Sequence, residues 1–236
     1  MNIVLVHGVL GAHAFGALPY FNGVEAHLRT RFGAKVLATN AAAIGTVAVR
    51  AAQARKQILD HFGATPSEPL ILIAYSMGGL DARQMLTDDP ALAKHVRSLT
   101  CIATPHHGSP VASMMSRILA VDAVHDLSEE GARRIDARCA DYPHIHYREI
   151  AGVGRAHPSK TSKALALAAR AGMSGEHDGV VSFASAVPPG RTLLERAEGD
   201  HVDLIGHDLD DFPLFRPRAF DHLPLYERIV ADAMAH

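Results

Sequence analysis

No apolar run in the sequence approaches the ~18 residues needed to cross a bilayer, and the longest, residues 70–74, is only strand-sized. A membrane-spanning segment is therefore excluded. Neither charge sign dominates, because 23 Lys and Arg are spread among 25 Asp and Glu without a block of either. Nucleic acid is not an expected partner, and no acidic tail is indicated. Cysteine is scarce: Cys101 falls in a predicted buried strand and Cys139 near the end of a predicted helix. At 236 residues a core can form without staples, so both are expected to be free thiols. The amino terminus has no charged region before Ile3-Val4-Leu5-Val6, which favours a cytoplasmic protein and leaves a mature secreted form open. No repeat, low-complexity tract or linker interrupts the chain, so one domain over residues 1–236 is expected.

Four runs rich in Val, Ile and Leu, at residues 3–7, 35–38, 70–75 and 98–103, are apolar nearly throughout rather than alternating. Such runs suit strands buried on both faces. The segments between them have helical period: residues 20–32 set Phe21, Val24, Leu28 and Phe32 near one face, and 47–62 is rich in Ala and Gln. Strand and helix alternate, which predicts an α/β fold with a mostly parallel sheet and helices on both faces. Beyond Thr104 the rhythm loosens. Helices are expected over 110–119, 128–139, 163–171 and 223–235, and strands near 147–151 and over 180–185. A short apolar stretch surrounds Leu193, and an acidic loop covers 208–211.

The most informative stretch runs from Leu70-Ile71-Leu72-Ile73-Ala74-Tyr75 through Ser76 to Met77-Gly78-Gly79-Leu80. A chain turning straight from strand into helix forces the intervening serine into a strained conformation, and its neighbours Ala74 and Gly78 must be small. Ser76 is thus expected to project from the sheet's carboxyl edge as a nucleophile, with the positive end of the next helix beside it. The plainer alternative is a glycine-rich turn that only closes the connection. After the first strand, His7-Gly8-Val9-Leu10-Gly11 offers a second turn, in which the N–H of Val9 could pair with that of Met77 to hold an oxyanion. His7 itself reads as structural.

A serine needs a histidine base and a carboxylate to orient that base. Downstream lie Glu176-His177-Asp178-Gly179 and Gly199-Asp200-His201-Val202-Asp203, both in loops beside predicted strands. Asp178 is assigned as the acid in preference to Glu176, and His201 as the base in preference to His207 or His222. Solvated loop residues are the alternative for each.

Taken in order, Val4-Leu5-Val6-His7-Gly8-Val9-Leu10-Gly11, Ala74-Tyr75-Ser76-Met77-Gly78-Gly79-Leu80, Thr104-Pro105-His106-His107-Gly108-Ser109, Asp178-Gly179-Val180-Val181-Ser182 and Asp200-His201-Val202-Asp203 resemble bacterial triacylglycerol lipases of the Pseudomonas and Burkholderia type. The resemblance runs nearly end to end. It implies the α/β-hydrolase fold, ester hydrolysis through an acyl-enzyme, a triad of Ser76, Asp178 and His201, and an oxyanion hole from Val9 and Met77. Three departures stand out. Ala74 replaces the usual glycine, the lid-like insertion shrinks to about residues 110–127, and the calcium site of the family is matched only by Asp203, since 157–171 has no carboxylate. No cofactor is expected.

Val111, Met114, Met115, Ile118 and Leu119 repeat at helical spacing in the insertion and form a stripe that either docks on the core or lines an acyl pocket. Leu10, Met114, Met115, Ile118 and Val180 are the expected substrate contacts. Among the 16 histidines, His106-His107 and His144-Ile145-His146 lack any metal framework, so no metal site is assigned. The expectation is a serine esterase or lipase acting on a small ester or lipid. An acyltransferase or thioesterase with the same triad, or a binding protein on a hydrolase scaffold, are the alternatives. Oligomeric state is not readable from the sequence.

Overall fold

A computed structural model of the chain describes residues 1–10, 18–154, 171–208 and 220–236. Strands β1 (Asn2–Val6), β2 (Lys35–Ala38), β3 (Leu70–Tyr75), β4 (Val96–Ile102), β5 (His146–Gly152) and β6 (Leu193–Ala197) form one sheet in the order β2-β1-β3-β4-β5-β6. Every neighbouring pair is parallel.

Successive side chains of a strand point to opposite faces, so a strand covered on both sides must be apolar at every position. Ile3, Leu5, Ile71 and Ile73 pack on one face against Val24 and Leu28 of helix α1 (Val24–Phe32) and Tyr226 and Ile229 of the final helix, Leu223–Ala235. Val4, Val6, Leu70 and Leu72 pack on the other against Ala51, Ala54 and Ile58 of α2 (Val47–Phe62) and Met85 of α3 (Met77–Asp88). The continuous apolar runs of the sequence are explained by these two layers.

Local chemistry sets the ends of the helices. Thr46 caps α2 by accepting from Val49 N–H, and Gly33 ends α1 in the left-handed region at φ 61°. The helix expected from residue 20 starts only at Val24, because Gly23 at φ 72° breaks it. After α4 (Pro90–Ala93), the helix expected over 110–119 ends early as α5 (Pro110–Met115), and a separate short helix, α6 (Asp122–Asp126), follows it. Beyond Met115 the N–H of Ile118 bonds Met115 O at 3.0 Å, a tighter turn that ends the helical period. Helix α7 (Glu129–Asp136) follows, capped by Ser128.

No strand forms over 180–185. The Asp178 carboxylate instead takes the N–H groups of Val180 and Val181, and Ser182 caps a short helix, Phe183–Ala186, leaving one isolated bridge between His177 and Ser182. The expected helix over 163–171 and acidic loop over 208–211 lie outside the described residues except at Ala171 and Asp208, as does Gly11. Cys101 and Cys139 are free. Among the described residues no helix is long and apolar enough to cross a membrane.

Candidate active site

Ser76 sits between β3 and α3 with φ 53° and ψ −129°. Strain of this kind costs about 1–3 kcal/mol and persists only where surrounding structure enforces it. Here Ser76 N–H donates to Ile102 O at 2.8 Å, and Ser76 O accepts from Thr104 Oγ1 at 3.0 Å. Gly78 has no alternative at its position, since a Cβ there would lie 2.4 Å from Val6 O. Ala74, by contrast, is accommodated in the buried strand.

The sheet order delivers the other groups to the same carboxyl edge, the usual place for a site in an open parallel sheet. Asp178 follows β5 and His201 follows β6. His201 Nε2 lies 3.1 Å from Ser76 Oγ, and His201 Nδ1 lies 2.7 Å from Asp178 Oδ2. The second carboxylate oxygen accepts from Val180 and Val181 N–H at 2.9 and 2.7 Å, which fixes its rotamer. Because an ionised carboxylate only accepts, the imidazole proton is on Nδ1 and Nε2 is left as the acceptor facing serine. Tyr75 Oη holds the ring's own backbone, donating to His201 O at 2.7 Å. All three side chains are buried.

The loop after β1 runs beside Ser76, close enough that a Cβ on Gly8 would lie 2.9 Å from Ser76 Cβ. Among the described residues, neither Val9 N–H nor Met77 N–H donates to a protein acceptor. His7 is structural: Ala41 N–H donates to its Nε2 at 2.8 Å, so Nδ1 carries the proton and donates to Gly8 O at 2.7 Å. Burial, reinforced by the Arg50 cation and opposed by the Gly8 carbonyl, lowers His7 from 6.5 to about 4. The unfolded chain therefore takes up this proton at a higher pH than the folded one. The stabilisation from neutral His7 is complete above about 6.5 and fades as the pH falls toward about 4, a loss of about 3 kcal/mol by linkage. An NMR titration of the His7 ring should show a midpoint near 4, whereas one near 6.5 would contradict this account.

An apolar cavity of about 400 Å³ opens at Ser76 and His201. Of the expected substrate contacts, Leu10, Met115 and Val180 line it together with Val9, while Met114 and Ile118 do not. At Ile118 the stripe fails because α5 has stopped at Met115, and Ile118 is 79% exposed. Val111 is buried against Met173 and also lines the cavity, so this short helix both docks and lines.

Residues 32–153, about half of the chain, match the family described as PGAP1-like alpha/beta domain. The chain belongs to this family. Over 124 residues, 51% of the chain, it is 32% identical to the triacylglycerol lipase of Pseudarthrobacter phenanthrenivorans, covering 38% of that protein. A stretch of the same length is 32% identical to the triacylglycerol lipase of Burkholderia plantarii and covers 34% of it. The chain thus matches well under half the length of these relatives. Among solved structures, a metagenomic carboxyl esterase superposes with a TM-score of 0.79 at 21% identity, covering all of this chain and 76% of the other. The Staphylococcus hyicus lipase superposes with a TM-score of 0.76 at 17% identity, covering 99% of this chain and 95% of the other. The fold of this PGAP1-like protein is the α/β-hydrolase fold.

The rival residues of this PGAP1-like protein are occupied elsewhere. Glu176 pairs with Arg196, His207 Nε2 donates to Pro19 and Tyr20 carbonyls at 3.0 Å, and His222 Nε2 lies 2.6 Å from Asn22 O. Asp203, the match to the lipases' calcium aspartate, and Asp200 each accept the other's backbone N–H on a carboxylate oxygen, Asp203 Oδ2 at 2.9 Å and Asp200 Oδ1 at 3.1 Å. Among the described residues no cluster of three His, Cys, Asp or Glu side chains includes Asp203. Sequence reasoning missed two buried polar groups. His106 is bracketed by Asp136 at 3.0 Å and Glu149 at 3.0 Å, tying α7 to β5, and Arg50 pairs with Asp81 beneath the β1 loop.

Proposed function

We propose that this protein is a serine carboxylic-ester hydrolase that works through an acyl-enzyme on short to medium acyl esters. The observation that carries the reading is the hydrogen-bonded chain from Ser76 through His201 to Asp178, opening on an apolar cavity. Its relatives' names, triacylglycerol lipases, point the same way.

His201 Nε2 takes the Ser76 proton as Oγ attacks the ester carbonyl. The carbonyl oxygen becomes an oxyanion held by the N–H groups of Val9 and Met77. His201 then gives its proton to the departing alkoxide, leaving an acyl ester on Ser76, and water repeats the sequence to release the acid. Asp178 remains ionised throughout, holding the Nδ1–H tautomer and stabilising the imidazolium that forms twice per turnover.

The short insertion supports the proposed chain length and physical state of the substrate. A lipase lid that opens at an oil surface must expose a wide apolar face, and binding there scales with the apolar area buried. The α5–α6 segment is two short helices of six and five residues. Rate against tributyrin concentration is therefore expected to saturate smoothly through the solubility limit, with p-nitrophenyl butyrate a good substrate. A sharp rise at the emulsion threshold with strong cleavage of long-chain triglyceride would overturn this choice of substrate, and no ester cleavage at all would overturn the reaction.

A further inference from the structure

We propose that Arg50 is a positioning residue, which fixes the peptide between Gly8 and Val9 so that the Val9 N–H is aimed at the oxyanion. This rests on the ester-hydrolase reading above. Arg50 lies in the first turns of α2 and is completely buried. Its Nη2 donates to His7 O at 2.7 Å and to Gly8 O at 2.9 Å, and its Nη1 donates to Ala42 O. Asp81 of α3 holds the guanidinium along its Nε edge, with Oδ2 2.9 Å from Nε and 2.8 Å from Nη2.

The Gly8 carbonyl is thus held twice, by Arg50 and by His7 Nδ1–H at 2.7 Å. In a trans peptide the C=O and the following N–H point in opposite directions. Anchoring Gly8 O on Arg50 therefore turns Val9 N–H away from the guanidinium and leaves it open, and Val9 and Ser76 line the same cavity. A cation on the carbonyl oxygen also polarises the peptide, making its N–H a stronger donor.

The same guanidinium clamps the segment behind the loop. Ala42 O is one of its acceptors, Ala41 N–H bonds His7 Nε2, and Leu10 N–H bonds Ala43 O at 2.8 Å. Leu10 is held at φ 68°, a conformation costly for a non-glycine residue, so the loop keeps its shape only while these bonds persist. Lysine cannot replace this set, because it lacks the planar fork that reaches several acceptors at once.

The test uses Arg50→Lys and the double variant Arg50→Met/Asp81→Leu, which removes both buried charges and so leaves neither unpaired. Hydrolysis of p-nitrophenyl butyrate is measured beside inhibition by an alkyl trifluoromethyl ketone, whose serine adduct carries the oxyanion that the ester ground state lacks. In each variant that keeps its circular dichroism spectrum, kcat is expected to fall about 10- to 100-fold with little change in KM. Ketone affinity should weaken by the same factor as kcat/KM. A folded variant with kcat within about threefold of wild type would overturn the role, as would a loss carried by KM with ketone affinity unchanged. Failure of the wild type to cleave the ester or accept the ketone would count against the hydrolase reading instead.

Discussion

Ser76→Ala is expected to lower kcat/KM toward p-nitrophenyl butyrate by about 10⁴-fold or more while leaving the fold intact. The Oγ atom is the only group lost. Alanine meets the same backbone strain at φ 53° as serine does, and the bonds that hold the elbow, Ser76 N–H to Ile102 O and Thr104 Oγ1 to Ser76 O, are made by the main chain. Thermal unfolding should therefore shift by no more than a few degrees, about what a surface-sized change gives. Steady-state kinetics and calorimetry on one preparation check both halves. Retention of about a tenth of the activity would remove Ser76 from the nucleophile role.

Asp178→Asn is expected to cost about 10³- to 10⁴-fold in kcat, close to the effect of His201→Ala. The reason lies in the two backbone donors. Val180 and Val181 N–H occupy one carboxylate oxygen, so the asparagine carbonyl takes that place and its NH₂ faces His201 Nδ1. Nδ1 must then accept, the proton moves to Nε2, and the nitrogen facing Ser76 can no longer take a proton. Geometry is preserved and the tautomer is wrong. The comparison variant is His207→Ala: loss of activity there, with His201→Ala active, would mean that the base has been misassigned.

The sheet was legible because its strands are buried on both faces and leave uninterrupted apolar runs, as at Leu70–Tyr75. The elbow was legible for a similar reason, since the Gly78 contact with Val6 O forbids any side chain and so leaves a trace in the sequence. What escaped was set by capping and tertiary contact. Val180 and Val181 carry strand propensity, yet the Asp178 carboxylate captures their N–H groups and bends the chain. The stripe from Val111 to Leu119 keeps helical period after the helix itself has ended at Met115. Arg50 did leave a signal, an arginine among the buried residues Val47, Ala51, Ala54 and Ile58 of one helix face. A cation on an apolar stripe implies a buried partner, but nothing in the spacing names Asp81 or the carbonyls of the β1 loop.

Treatment of the wild-type protein with a fluorophosphonate, followed by peptide mapping by mass spectrometry, tests the central claim most directly. The account predicts one covalent phosphonyl adduct, on Ser76, formed rapidly in the wild type, slowed by orders of magnitude in His201→Ala and absent in Ser76→Ala. No adduct on the wild type, or an adduct on a different residue, would contradict it.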